Sequence, residues 1–251
     1  MSKNVWITGA SSGIGKALAI KFAAEGWQVA ASARREKLLK DLNSQNRNIY
    51  PFPLDVKKES EAKNIFQNVI KKFETVDISV FCTGIHDPDA EKKLSSEKIR
   101  EIMETNFFGT LNCIMAVNTY FREKKSGHIS IVSSVAGYRG LPAAAGYCAS
   151  KSALTSLAES LYFDFKRHNV RVTLVSPGFI KTPMTDKNKF PMPMIKSPEF
   201  AAEKMFNGLT KKNSFEIHFP IAFTTIMKLL KIMPNWLYFL LVKKGMKTIK
   251  Y

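Results

Sequence analysis

The chain has 251 residues, 45% hydrophobic and 24% charged, which suits a globular protein with a real core and excludes disordered, collagen-like and pure coiled-coil chains. Its 38 Lys and Arg against 21 Asp and Glu leave a net charge of +17, an attraction to polyanions that says nothing about fold. Cys82, Cys113 and Cys148 are odd in number and widely spaced, so neither a disulfide framework nor a zinc site is expected, and a reducing, cytoplasmic setting is.

Met1-Ser2-Lys3-Asn4 runs straight into an apolar strand with no secretory-signal pattern, and no charge-free run reaches the ~18 residues of a spanning helix. Val5–Thr8 reads as the first strand. Gly13–Glu25 has helical spacing, with Ile14, Leu18 and Phe22 on one face, and Gly26 closes it. Val29–Ala33 is the second strand, Glu36–Leu42 a short helix, and Ile49–Pro53 a third strand ending at Asp55. Lys57–Phe73 carries an apolar stripe of Ile65, Val69 and Phe73, followed by a strand at Ile78–Phe81. Asp87-Pro88-Asp89 reads as a loop, and Glu97–Phe121 as one long helix. A fifth strand at His128–Ser133, a helix at Tyr147–His168 and a sixth strand at Val170–Val175 follow.

Strands separated by helices of this length predict βαβ units and one parallel sheet with helices on both faces, an α/β doubly wound domain. Residues 183–198 hold four prolines and three methionines and read as a loop over the substrate, with Met184, Phe190, Met192, Met194 and Ile195 implying an apolar ligand. Phe215–His218 is a candidate seventh strand.

Thr8–Gly15 lies between the first strand and the first helix, where a βα turn presents backbone N–H groups and a helix N-terminus to a pyrophosphate. Gly9 allows the tight turn, Gly13 a close approach of the ligand, and Gly15 close packing of helix on strand; Ser11, Ser12 and Ile14 complete the loop. The second strand ends without a carboxylate for a ribose hydroxyl. It runs instead into Arg34 and Arg35, whose guanidinium groups suit a 2′-phosphate, so NADP(H) is favoured and NAD(H) remains possible.

Ser133 and Ser134 end the fifth strand, at the sheet edge where open α/β folds bind ligands. Tyr147 and Lys151 are four apart and share one helix face. An ammonium beside a phenol favours the phenolate, so the pair predicts a tyrosine with a lowered pKa acting as acid and base.

Together these motifs resemble the short-chain dehydrogenase/reductase family over residues 4 to about 218. The family's T-G-x3-G-x-G stands as Thr8–Gly15, its Y-x-x-x-K as Tyr147–Lys151, and its serine as Ser134. The resemblance implies a strand order 3-2-1-4-5-6, extended by the seventh strand, and an assembly as homodimer or homotetramer. It implies that Asn106, in Asn106-Phe107-Phe108-Gly109, belongs with Ser134, Tyr147 and Lys151 in the catalytic group. It also implies that Asp55 and Val56 meet the adenine, and that Gly84, Pro177, Gly178 and Thr182 line the nicotinamide end. Cys82-Thr83-Gly84 stands where the family has N-A-G, and Ser12 stands where many NADP-preferring members carry a basic residue. The NADP preference therefore rests on Arg34 and Arg35.

The expected activity is NADP(H)-dependent interconversion of a carbonyl and a secondary alcohol on an apolar small molecule. Ser134 would polarise the carbonyl, Tyr147 exchange the proton, Lys151 hold the ribose and the tyrosine, and Asn106 order a water. The alternative is a non-catalytic NADP(H)-sensing protein of the same fold. Acyl chains, steroids, retinoids and aromatic ketones all fit the expected ligand. His86, His128, His168 and His218 are isolated, read as structural or surface groups, and no metal is expected. No specific nucleic-acid motif is present.

Residues 219–251 contain six lysines and no acid. Ile226, Leu229, Leu230 and Met233 share one helical face and Lys228 and Lys231 point away from it, which predicts a basic amphipathic extension. Such a segment suits peripheral contact with an anionic inner membrane face, a subunit contact or a lid over the substrate.

Overall fold

A computed structural model describes residues 3–188 and 190–247, with the side chains of 245–247 outside the description. Seven strands form one parallel sheet in the order β3-β2-β1-β4-β5-β6-β7. They are β1 (Asn4–Thr8), β2 (Gln28–Ser32), β3 (Ile49–Pro51), β4 (Ile78–Phe81), β5 (His128–Val132), β6 (Arg171–Pro177) and β7 (Glu216–Phe219). The helices are α1 (Gly13–Ala24), α2 (Glu36–Gln45), α3 (Glu59–Phe73), α4 (Pro88–Lys92), α5 (Ser96–Met103), α6 (Gly109–Lys124), α7 (Ala145–Lys166), α8 (Pro198–Lys211), α9 (Ile221–Ile232) and α10 (Asn235–Lys247).

Both faces of the sheet are covered, so β1, β4 and β5 are buried at every position, as parallel strands between two helical layers must be. Alternation along β1 divides the core. Val5 and Ile7 pack with Leu18 and Phe22 of α1 and with Met205 and Phe206 of α8. Trp6 points the other way, into Phe66, Val69, Ile114, Val117 and Leu154 of α3, α6 and α7. Its indole N–H donates to Ser32 Oγ at 2.9 Å, so the buried ring leaves no polar atom unpaired.

Four local features differ from the sequence prediction. The helix predicted over Glu97–Phe121 is broken by a π-turn, Glu104–Phe108, between α5 and α6. The turn buries Asn106 completely, and that tertiary demand is invisible to hydrophobic periodicity. The loop predicted at Asp87–Asp89 opens α4 instead, because Asp87 accepts the Ala90 N–H at 3.1 Å and Pro88 occupies the first helical turn. The third strand stops at Pro51, two residues early. A helix not predicted at all, α8, starts where Ser197 caps the Phe200 N–H at 3.2 Å beside Pro198.

After the cis Phe219–Pro220 bond, α9 and α10 fold back beside the carboxyl ends of the strands. Phe223 and Leu230 pack with Val135, Tyr138 and Met227. Arg139 closes the joint between the two helices. Its guanidinium donates to the carbonyls of Leu230 and Met233, both at 2.6 Å, and lies 4.0 Å from the Tyr238 ring centroid. Tyr238 is buried and donates to the Gly140 carbonyl. The predicted apolar face of Ile226, Leu229, Leu230 and Met233 is divided in the structure: Leu230 packs inward beside Met227, while Ile226 and Leu229 face solvent. Lys250 of the predicted basic segment lies outside the described residues.

Candidate active site

The carboxyl ends of β1, β2, β4, β5 and β6 open onto a cavity of about 410 Å³. One part of its wall is the turn between β1 and α1. Gly9 has φ +70°, and a Cβ there would stand 2.9 Å from the Cys82 carbonyl carbon and oxygen. A Cβ on Gly15 would be driven into the Gly9 carbonyl oxygen, so α1 sits against the turn as no other residue would permit. Ser11, Ser12, Gly13 and Ile14 line the cavity with them. The turn thus offers the helix end and close backbone that a pyrophosphate requires.

Arg35, exposed at the start of α2, reaches back across this turn. Its Nη2 donates to Ser11 Oγ at 2.7 Å and to Ser12 Oγ at 2.8 Å, and its Nε donates to Ser11 Oγ at 3.2 Å. A guanidinium and two hydroxyls therefore converge beside the cavity, with Arg34 also on its wall. That cluster is complementary to a phosphate monoester. Asp55 and Val56, beyond β3, line the same region. Asp55 Oδ1 is held by the Lys57 N–H at 3.2 Å.

The other part of the wall carries the Ser, Tyr and Lys. Ser134 follows β5, and its Oγ accepts the Ala136 N–H at 3.2 Å, which orients the hydroxyl. Tyr147 and Lys151 project from the first turns of α7. Ser133 fixes this helix to the strand end by donating to the Lys151 carbonyl at 2.8 Å. Lys151 Nζ is buried, donates to the Val132 carbonyl at 2.9 Å and lies 5.7 Å from the Tyr147 ring centroid.

Burial pushes the Tyr147 phenol up to about 12, with a hydrogen bond from Ser134 acting against it. Burial also pushes Lys151 down to about 8. The sequence predicts a phenol lowered by its lysine; in the structure burial is the largest influence on the phenol, and it acts upward.

Seventeen of the eighteen predicted site residues line this one cavity: Gly84, Pro177, Gly178 and Thr182 complete the wall already described. Asn106 stands just behind it. Its Oδ1 accepts the Ile85 N–H at 2.7 Å, while its Nδ2 donates to the Ile85 carbonyl and to Ser150 Oγ, each at 3.0 Å. Asn106 thereby pins the loop after β4, and the Cys82 N–H adds a bond to Thr8 Oγ1 at 3.2 Å. Those bonds fix the Cys82-Thr83-Gly84 loop without the family asparagine.

The sequence reading missed His86 and Glu91. His86 lines the cavity, and its ring centroid is 4.6 Å from that of Tyr147. Glu91, whose side chain is fully buried, meets His86 Nδ1 at 2.7 Å through one oxygen and accepts the Tyr147 N–H at 3.0 Å through the other. The signal was a histidine five residues before a glutamate next to the strand-four turn, but only the fold brings Glu91 to α7. From the segment 183–198, Pro183, Met184, Thr185 and Lys187 line the cavity. Met184 reaches the cavity, whereas Phe190 packs on Phe179 at 6.0 Å and Met194 and Ile195 are exposed. Ile180, itself on the cavity wall, pairs with Lys196 in a parallel bridge.

The profile of the short chain dehydrogenase family matches residues 3–191. An uncharacterized oxidoreductase of Myxococcus xanthus is 35% identical over 236 residues, 92% of this chain and 93% of the relative. A 3-oxoacyl-(acyl-carrier-protein) reductase of Thermotoga maritima is 32% identical over 185 residues, 72% of this chain and 75% of the relative. Among solved structures, ElxO with NADP bound is 27% identical and superimposes with a TM-score of 0.78 over 87% of this chain and 98% of that chain. A short-chain dehydrogenase from Streptomyces avermitilis, 23% identical, superimposes with a TM-score of 0.84 over 100% of this chain and 99% of that chain, a likeness of fold.

Proposed function

The chain belongs to the short chain dehydrogenase family of oxidoreductases, and on that premise we propose that it reduces the carbonyl of an apolar substrate to a secondary alcohol with NADPH. The observation that carries the reading is the meeting, on one cavity wall, of the Arg35–Ser11–Ser12 cluster and the Ser134–Tyr147–Lys151 group. The glycine turn would hold the pyrophosphate of the cofactor, Arg34 and Arg35 its 2′-phosphate, Asp55 and Val56 its adenine, and Lys151 its nicotinamide ribose. Gly84, Pro177, Gly178 and Thr182 would flank the nicotinamide. When bound, a nicotinamide cofactor supplies the hydride.

The protein's own groups supply polarisation and a proton. Ser134 Oγ donates a hydrogen bond to the carbonyl oxygen, where negative charge develops. Tyr147 then gives that oxygen its proton. A phenol raised to about 12 carries its proton throughout the neutral range, the form that carbonyl reduction requires. Lys151 compensates the charge left on the phenolate, and Asn106 keeps the neighbouring loop in register. His86, seated against the tyrosine ring, limits what can approach it.

A related reductase acting on 3-oxoacyl-(acyl-carrier-protein) makes acyl chains the first substrates to try. The exposed side chains Phe108, Met115 and Phe163, around α6 and α7, support association with a second copy of the chain. The test is NADPH oxidation by the full chain over 3-oxoacyl thioesters and ketones graded by chain length. Turnover that rises with chain length supports the reading. Tight NADPH binding with no oxidation by any carbonyl would favour the alternative, a cofactor-sensing protein.

A further inference from the structure

Eight of the sixteen large apolar side chains that stand exposed among the described residues fall between Ile221 and Leu241. On α9 the buried side holds Thr224 and Met227, with Phe223 and Leu230 partly buried against the body. The opposite side presents Ile221, Ile226, Leu229 and Ile232, the last 79% exposed. On α10, Tyr238 turns inward at 3% exposure while Trp236 stands out at 70%, with Phe239 and Leu240 also exposed. An ordinary surface helix shows a polar outer side, whereas α9 is apolar on its outer side as well as its inner one.

The arrangement is held, not frayed. Arg139 ties the carbonyl end of α9 to α10, and Tyr238 is anchored to Gly140. Lys228 is fastened to Glu216 at 2.6 Å. A rigid joint between two helices thus displays isoleucine, leucine and tryptophan to solvent.

Charge decides what covers this surface. Residues 219–251 contain six lysines and no acid. Lys231 and Lys243 are exposed on the same two helices. A second copy related by two-fold symmetry would set this acid-free, lysine-bearing segment against itself. A phospholipid surface carrying negative headgroups matches both features at once: acyl chains for the apolar side chains and phosphates for the lysines. No described helix is long and apolar enough to cross a membrane, so the contact is one of lying on the surface. We propose that α9 and α10 form a docking surface for anionic phospholipid membranes.

The surface is joined to the wall of the cavity. Phe223 of α9 packs where a Cβ on Gly178 would otherwise stand, and it lies 5.4 Å from Phe179 between ring centroids. Docking would therefore place lipid on the outer side of a helix whose inner side packs on the cavity wall at Gly178.

The test is flotation of the full chain with vesicles of phosphatidylglycerol and phosphatidylcholine, compared with phosphatidylcholine alone, at low and high salt. Trp236 is a built-in probe, because Trp6 and Trp27 are already buried. The expected result is binding to the anionic vesicles with a blue shift of tryptophan emission, weakened by salt and by the neutral lipid. The paired substitution Leu229→Glu with Ile232→Glu, both at exposed positions, should reduce vesicle affinity by at least about tenfold while leaving the melting temperature and NADPH affinity unchanged. Failure of the unmodified chain to bind anionic vesicles at low salt, with no emission shift, overturns the proposal whatever the variant does. So does a variant that binds as well as the unmodified chain. A variant that halves the mass in solution, with no vesicle binding by either form, would assign the surface to a second copy instead.

Discussion

Arg35→Ala removes the guanidinium that bridges Ser11 and Ser12 beside the cavity while leaving the glycine turn, the tyrosine and the lysine in place. A hydrogen bond to a charged group contributes about 1.5–3 kcal/mol, and about 1.4 kcal/mol is tenfold in affinity. Arg35 is exposed, and Arg34 lines the same cavity and retains its charge, so the lower half of that range applies. The expected outcome is a rise of about 10–40-fold in the NADPH dissociation constant and a change of no more than about twofold for NADH. Arg35→Lys should recover only part of the loss, since an ammonium lacks the planar fork. Isothermal titration with both cofactors measures this directly. Equal weakening of NADH and NADPH would show that Arg35 supports the turn as structure rather than reading a phosphate, and the reasoning would fail.

The remaining outcomes concern pH, packing and the histidine. Lys151 loses its charge as pH rises through about 8, so kcat/KM for carbonyl reduction should fall on the alkaline side with a limb near that value; a flat profile to pH 10 would contradict it. The same shift has an opposite sign for stability: the folded chain holds the lysine proton less tightly than the unfolded chain, so this group favours folding more as pH rises from about 8 toward 10.5. Gly15→Ala should cost about 1–3 kcal/mol, read as a lower melting temperature, because the new methyl meets the Gly9 carbonyl. Glu91→Ala should lower kcat by about tenfold with NADPH affinity retained, since it frees His86 and leaves the Tyr147 N–H unpaired, whereas Glu91→Gln should recover much of the loss.

Much of this molecule is legible in the chain because its signals are local. The glycines of Thr8–Gly15, the arginines after β2, and the four-residue step from Tyr147 to Lys151 each occupy one short stretch; alternating strands and helices imply a parallel sheet, and its strand order is what the family resemblance implies. What escaped prediction depends on partners far away in sequence. The π-turn exists to bury Asn106 against Ile85 and Ser150. Glu91 acquires its role only when α4 meets the start of α7. The raised Tyr147 phenol reflects burial, which spacing does not report.

Helix α9 carries apolar residues on both sides, so periodicity could mark it as a helix but could not say which side would turn inward. The body resolves the choice by offering Val135 and Tyr138 to Met227. Helix α8 had a readable start in Ser197-Pro198, but it follows a proline-rich stretch that reads as irregular.

The central claim is that Tyr147 supplies the proton while NADPH supplies the hydride to a carbonyl carbon. The most direct measurement uses NADPH deuterated at the transferable nicotinamide position, a 3-oxoacyl thioester, and mass spectrometry of the alcohol formed by the unmodified chain and by Tyr147→Phe. The account predicts one deuterium on the carbinol carbon with the unmodified chain, and loss of nearly all turnover in Tyr147→Phe while NADPH still binds. Labelled alcohol formed by Tyr147→Phe at an undiminished rate would contradict it.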